Sequence, residues 1–343
     1  MAKKTENEKL NWSALIRELK QEGPQRAYLL WGPEDYLREQ FLAELKKICL
    51  PEGENSFSYQ RIDGADPDIN KIREAADMIP FMSDYSFIEL RGMDVNHYSQ
   101  AAELEKILAE LPEQTVLAIV LAGEKEPDGR LKLVKALRKY TKEIKFTSQT
   151  QGMLTDWLVR RFAAAGKKID LEAAQRLIFT SGDLMSGLIP EIEKVAAYTK
   201  GERVTVKEVE AVACHIPQAV IFDMTEQIAN KKYNSAMSIL AELLADKNNE
   251  PIAMLALLGM QMRRLYAARL AQEEGLGSAF IMDTCGIKYD FIVRKLSAAA
   301  RGYSLPQLRK AVELCAQADY RMKSSGGDPS DILKEAVLRI AAG

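Results

Sequence analysis

The 343-residue sequence is short of the residues on which most reactive centres are built. It holds two histidines, His97 and His215, so imidazole acid–base catalysis has few candidates, and each reads first as structural. Its four cysteines, Cys49, Cys214, Cys285 and Cys315, lie far apart without a C-x-x-C pair. Disulfides and a zinc ribbon are therefore not expected, and the usage fits a reducing cytoplasm. The longest apolar run, IAMLALLGM, is too short to span a bilayer. The opening MAKKTENEKLNW lacks the apolar stretch of a secretory signal. Charge of one sign is lacking too. With 47 basic and 49 acidic residues the net charge is −2, which excludes attachment to nucleic acid by bulk charge alone. Any DNA contact must come from a local patch or from partners.

What is present is an ordinary globular composition, 47% hydrophobic and 28% charged, in a chain long enough for two or three domains. The first 148 residues alternate strand and helix patterns, with the first ten expected to fray. RAYLLW, FSYQRI, YSFIEL, TVLAIVLAG and EIKFTSQ read as strands. DYLREQFLAELKKI, the stretch from Asp68 to Asp77, YSQAAELEKILAEL and GRLKLVKALRKY read as helices, with Asp35 as N-cap of the first. Strands separated by helices imply right-handed crossovers and a mostly parallel sheet. After Thr150 the strand signals stop. A small helical segment to residue 216 has helices ended by Gly166, Gly182 and Gly201 and a last one capped by Thr205. From Pro217 onward the chain reads as all-helical, each helix with one apolar face to bury.

The stretch YLLWGPEDYLREQF places a strand, a glycine, a polar turn and a helix where a phosphate-binding loop would stand. Counting four residues on from Gly32, the required Gly, Lys and Ser or Thr are replaced by Leu37, Arg38 and Glu39. Glu34 and Asp35 put carboxylates where phosphate oxygens would sit, and suit the positive end of a helix instead. The strand SFIELRG ends in one acid, Glu89, where a hydrolytic magnesium site wants more, and no Ser-Arg-Cys motif occurs. The machinery of nucleotide hydrolysis is missing at three points. No catalytic residue, cofactor or metal is expected.

Two features could meet a partner. In DMIPFMSDYSFIEL, Met78, Ile79, Phe81 and Met82 cluster around Pro80 between a helix end and a strand. Composition alone favours tucking them onto the core; Met and Phe are equally what an adaptable docking plug would use. The basic run GRLKLVKALRKYTKEIK gathers Arg130, Lys132, Lys135, Arg138, Lys139, Lys142 and Lys145. It could face DNA phosphates, although a solvated helix face is the commoner outcome. YRMKSSGGD, with Arg321 and Lys323, and MRRLYAAR, with Arg263, Arg264 and Arg269, are weaker candidates.

Six segments, in order along nearly the whole chain, resemble the delta subunit of the bacterial DNA polymerase III clamp loader. They are YLLWGPEDYL, MIPFMSDYSFIEL, GRLKLVKALRKY, GDLMSGLIPEIEKVAAY, AVIFDMTEQIANKKYNSAMSILAELL and ADYRMKSSGGD. The resemblance implies three domains: an AAA+-like α/β domain over 1–148 without a functional P-loop, a small helical lid-like domain over 149–216, and a helical collar over 217–343. It implies a non-catalytic subunit that binds the beta sliding clamp and opens its ring during DNA replication, while ATP is hydrolysed by partner subunits. Those partners would be the gamma/tau motor subunits and delta-prime, with primer–template DNA inside the assembly. By matching positions the clamp-binding element falls on Met78, Ile79, Phe81 and Met82, with Phe81 as anchor. Relatives often carry Leu before the Pro-Phe and a second Phe after it, where this chain has Ile79 and Met82. DNA contacts would fall among Arg130, Lys132, Lys135, Arg138, Lys139 and Lys323. The rival readings are a divergent AAA+ ATPase and a DNA-binding module of another DNA-metabolism pathway.

Overall fold

The computed structural model describes residues 11–53, 57–81, 83–324 and 327–343. The chain divides into one unit of Met1–Gln149 with Leu184–Ser186 and a second of Thr150–Asp183 with Gly187–Gly343.

The first unit opens with α1 (Trp12–Glu22), where Asn11 accepts the Ala14 N–H as N-cap. No element is anticipated there from sequence, and the expected fraying of the first ten residues concerns positions outside those described. Then β1 (Ala27–Trp31), α2 (Asp35–Cys49), β2 (Tyr59–Asp63), α3 (Ile69–Ala76), β3 (Ser86–Met93), α4 (Ala101–Glu110), β4 (Thr115–Leu121), α5 (Lys132–Tyr140) and β5 (Lys142–Lys145) alternate. The strands form one sheet in the order β2-β3-β4-β1-β5, every pairing parallel. β1 and β4 are buried along their whole length, as strands covered on both faces must be. Because side chains alternate, Leu29 and Trp31 of β1 join Ile88, Leu90 and Ile119 in a core roofed by Ile72, Leu104 and Leu137 of α3, α4 and α5. Tyr28 points to the other face and meets Phe41 of α2 edge-on, ring centres 5.5 Å apart. The N-cap of α2 is Glu34, not Asp35; Asp35 is the first helical residue and bonds to Arg38.

The second unit begins with α6 (Gln151–Ala164), β6 (Lys168–Ile169), α7 (Leu171–Ser181), α8 (Met185–Tyr198), β7 (Arg203–Val204) and α9 (Val206–Val212). β6 and β7 pair in parallel, which corrects the expectation that strands end at Thr150. Two-residue strands are too short to display a period of two, so no pattern could announce them. Gly166 and Gly182 stand at the ends of α6 and α7 with φ of +72° and +94°, a conformation glycine adopts freely. Gly201 does not cap α8, which ends at Tyr198; its carbonyl and that of Thr199 accept from Lys167 Nζ. Thr205 and Glu208 form a reciprocal capping box on α9.

Further helices follow among the described residues: α10 (Pro217–Ala229), α11 (Tyr233–Ala245), α12 (Pro251–Glu273), α13 (Ser278–Cys285), α14 (Asp290–Ala300), α15 (Leu305–Ser324) and α16 (Pro329–Ala342). α12 buries Met254, Leu258, Met262, Leu265 and Ala268 and packs against α10, α14, α15 and α16. α13 is not anticipated from sequence: of its residues only Ile281 is buried, so it has no apolar stripe to read. No helix among the described residues is long and apolar enough to cross a membrane.

Candidate functional site

The carboxyl end of β1 is where a nucleotide would be sought, because its neighbours β4 and β5 lie on opposite sides and the strand order reverses there. That position is closed. Gly32 has φ +122°, and a Cβ on it would come within 2.4 Å of the Phe146 carbonyl oxygen. The glycine thus serves the close approach of two backbone segments. The Glu34 N–H, which in a phosphate cradle would point at the anion, donates to the Phe146 carbonyl at 3.1 Å, and the Asp35 N–H to the Pro33 carbonyl at 3.1 Å. The Glu34 side chain is wholly buried and accepts the Met185 N–H at 3.2 Å, Met185 lying in the short segment that packs as part of this same unit. A carboxylate at the amino end of α2 stands at the favourable pole of the helix. Arg38, at the position of the missing lysine, bonds the Gly32 carbonyl at 3.2 Å and pairs with Asp35. We expect Gly32→Ala to lower the stability to urea by roughly 1–3 kcal/mol, through positive φ and the clash with Phe146. An unchanged denaturation midpoint would show that this approach can relax.

Glu89 is likewise consumed by structure. It is fully buried and accepts from Lys46 Nζ at 2.8 Å, from the Tyr59 hydroxyl at 2.8 Å and from Arg91. Arg91 in turn grips Glu39 with both terminal nitrogens, at 2.8 and 2.6 Å. Burial raises the Glu89 pKa, but the bonds from Lys46, Tyr59 and Arg91 together outweigh it and hold the carboxyl below its ordinary range. The network ties α2, β2 and β3 together.

The turn after α3 is a different kind of surface. Ile79 and Phe81 are 79% and 59% exposed, whereas Met78 is half-buried with its sulfur 3.6 Å from Gln60 Nε2. Met82 lies outside the described residues. A third apolar group joins them that sequence reading passed over: Phe57, 82% exposed, with its ring edge-on to that of Phe81 at 6.2 Å. Reading FSYQRI as one strand assigned Phe57 to the sheet, but β2 starts at Tyr59. Ser58 fixes the pair. Its buried hydroxyl accepts the Phe81 N–H at 2.8 Å and lies 3.1 Å from the Phe81 carbonyl oxygen, while its own carbonyl accepts the Phe87 N–H at 2.7 Å. Two loops distant in sequence are thereby stapled under adjacent exposed rings.

The basic candidates scatter in their commitments. Lys132, Lys135, Arg138 and Lys139 all lie exposed on the solvent side of α5, whose Leu133, Val134 and Leu137 face the core. Arg138 is engaged by Glu143 and Glu126, Arg130 by Asp128, and Lys139 by the Tyr140 hydroxyl. Lys132 and Lys135 form no ion pair among the described residues. Lys142 pairs with Glu18, and Lys145 lies over the Trp31 ring. Lys323 pairs with Asp319 at 2.8 Å and Arg269 with Glu273 at 3.0 Å. Arg264 is half-buried and lines a cavity.

Residues 28–147 match the family "DNA polymerase III, delta subunit", and residues 218–340 match "DNA polymerase III delta subunit, C-terminal domain". The chain belongs to the DNA polymerase III delta-subunit family. Membership makes it a component of the clamp loader in DNA replication. Among curated relatives, DNA polymerase III subunit delta of Bacillus subtilis is 24% identical over 91% of this chain and 92% of its own length. A probable DNA polymerase III subunit delta of Aquifex aeolicus is 21% identical, over 91% and 90%. The solved Bacillus subtilis DNA clamp loader delta protein superposes with a TM-score of 0.55 at 24% identity, covering 97% of this chain and all of that one. This likeness fits the AAA+-like α/β architecture of the first unit. In a delta-family chain, the shut loop and the exposed rings become the two features to explain together.

Proposed function

We propose that this chain is a non-catalytic clamp-loader subunit that seats the Phe57–Ile79–Phe81 knuckle, flanked by Met78 and Met82, in an apolar pocket of the beta sliding clamp and so favours the open ring. The observation that carries this reading is the exposed ring pair held in place by the buried Ser58 hydroxyl. Large apolar side chains left in water on a rigid base are what a docking anchor requires. Binding opens a ring only if the bound surface fits the open form better than the closed one. Moving that equilibrium from mostly closed to mostly open takes about 5.5 kcal/mol of differential affinity. Three anchors at roughly 2 kcal/mol each reach that scale, allowing for non-additivity.

Nucleotide chemistry in this reading belongs to partner subunits of the gamma/tau and delta-prime type, since the Glu34 and Asp35 N–H groups of this chain's own loop are bonded to carbonyls and the Glu34 side chain is buried. Residues 149–216 would act as a lid-like domain and 217–343 as the collar that joins the hetero-oligomer. Primer–template DNA would lie within the assembly. Lys132 and Lys135 are best placed to meet phosphate, because Arg130, Arg138, Lys139 and Lys323 already have partners. The deciding measurement is surface plasmon resonance of the whole chain against the sliding clamp of the same organism, beside mant-ATP fluorescence. Saturable clamp binding with no nucleotide signal at millimolar ATP is expected. A silent clamp surface, or tight magnesium-dependent nucleotide binding, would overturn the proposal.

A further inference from the structure

The second unit holds a half-open cavity of about 170 Å³ among α7, α10, α12, α14 and the turn between α13 and α14. Phe179, Phe222, Ile287 and Leu296, all buried, supply an apolar wall. Arg264 enters this lining from α12 beside buried Gln261. The guanidinium of Arg264 has no ion-pair partner among the described residues, and its Nε is buried without an acceptor. The one carboxylate lining the cavity among the described residues is Asp183. It is engaged by the Tyr289 hydroxyl at 2.9 Å and by Lys288 at 3.6 Å. Burial pulls the Arg264 pKa down, opposed by the nearby Cys285 thiol, and no carboxylate among the described residues pairs with the guanidinium. Partly desolvating a cation without a counter-charge is unfavourable, and a chain gains by supplying the charge from outside.

We propose that this cavity binds a small organic oxyanion, a carboxylate or phosphate carried on an apolar body near the size of a benzene ring, with Arg264 as the partner of the anionic head. The planar fork of a guanidinium suits both heads, because each offers two oxygens to parallel N–H donors. The size follows from volume: an engineered cavity of about 150 Å³ in another protein takes up benzene. Phe179 and Phe222, whose rings meet edge-on at 5.0 Å, give such a body a rigid aromatic floor. This site is independent of the clamp-binding reading, since every residue invoked lies in the second unit.

The test uses the full chain and four probes: benzoate, phenyl phosphate, benzamide and inorganic phosphate, read by saturation-transfer NMR and thermal shift. Benzoate, phenyl phosphate or both should saturate the protein and raise its melting temperature, and which of them does so separates the two heads. Neutral benzamide and bare phosphate should bind at least about tenfold more weakly than the better aromatic anion. Arg264→Met should abolish the difference between benzoate and benzamide, and without probe it should melt at the same temperature or higher. Equal binding of benzamide overturns the role of the charge, and equal binding of inorganic phosphate overturns the role of the apolar wall. Both comparisons are made on the unaltered chain and stand even if the variant fails to fold. If no probe binds and Arg264→Met instead weakens assembly with other subunits, the guanidinium belongs to a protein interface and the proposal fails.

Discussion

Replacing Phe81 with alanine is expected to weaken clamp binding by about 2–4 kcal/mol, roughly thirtyfold to a thousandfold, while leaving the unfolding midpoint unchanged. The two halves of this expectation rest on separate observations. Phe81 is 59% exposed, so truncating it takes little from the protein's own core. Its backbone N–H and carbonyl carry the bonds to Ser58, and alanine retains both. Almost all the loss should therefore fall on the complex. Phe57→Ala should cost less, and the double variant should show coupling of about 0.5–1.5 kcal/mol, the range for an edge-to-face pair beyond its buried area. Ordinary clamp affinity combined with a large drop in stability would mean that Phe81 packs on its own domain in solution, and the knuckle would lose its role.

Glu89→Ala is expected to destabilise the first unit by about 2–4 kcal/mol, because it leaves the half-buried Lys46 and Arg91 without their shared, fully buried counter-charge. Arg91 keeps Glu39, which limits the damage on its side, whereas Lys46 loses this carboxylate while keeping the Tyr59 hydroxyl at 3.2 Å and that ring's face. The sign of the pH dependence follows from the lowered pKa. A carboxyl held below its ordinary value of 4.5 contributes stability above that value and loses it as pH falls through the folded-state value. The gap in unfolding free energy between wild type and variant should then be full at neutral pH and shrink on acidification below pH 4.5. A gap that stays constant with pH, or one within experimental error of zero, would remove Glu89 from the set of supports.

The α/β alternation of the first unit was legible in the chain because buried strands such as AYLLW and TVLAIVL are continuous apolar runs between amphipathic helices. The shut loop was legible by omission, through Leu37, Arg38 and Glu39 standing where Gly, Lys and Ser belong. What pattern could not supply was anything set by contact across the fold. α1 had to wait for its neighbour, and the β6–β7 pair is too short to carry a period. Phe57 looked like a strand residue until Ser58 was seen bonding a turn more than twenty residues away. The fates of the arginines were equally invisible: Arg264 and Arg269 sit on one helix, yet one lines a cavity and the other pairs with Glu273 at the surface.

The hydroxyl of Ser58 has a thermodynamic consequence of its own. Because it bonds both the N–H and the carbonyl of Phe81 in the free subunit, docking through this ring as proposed should carry a smaller cost of ordering. Association should then show the modest heat-capacity change of a few rings leaving water, far from the large one that accompanies a segment folding on its target.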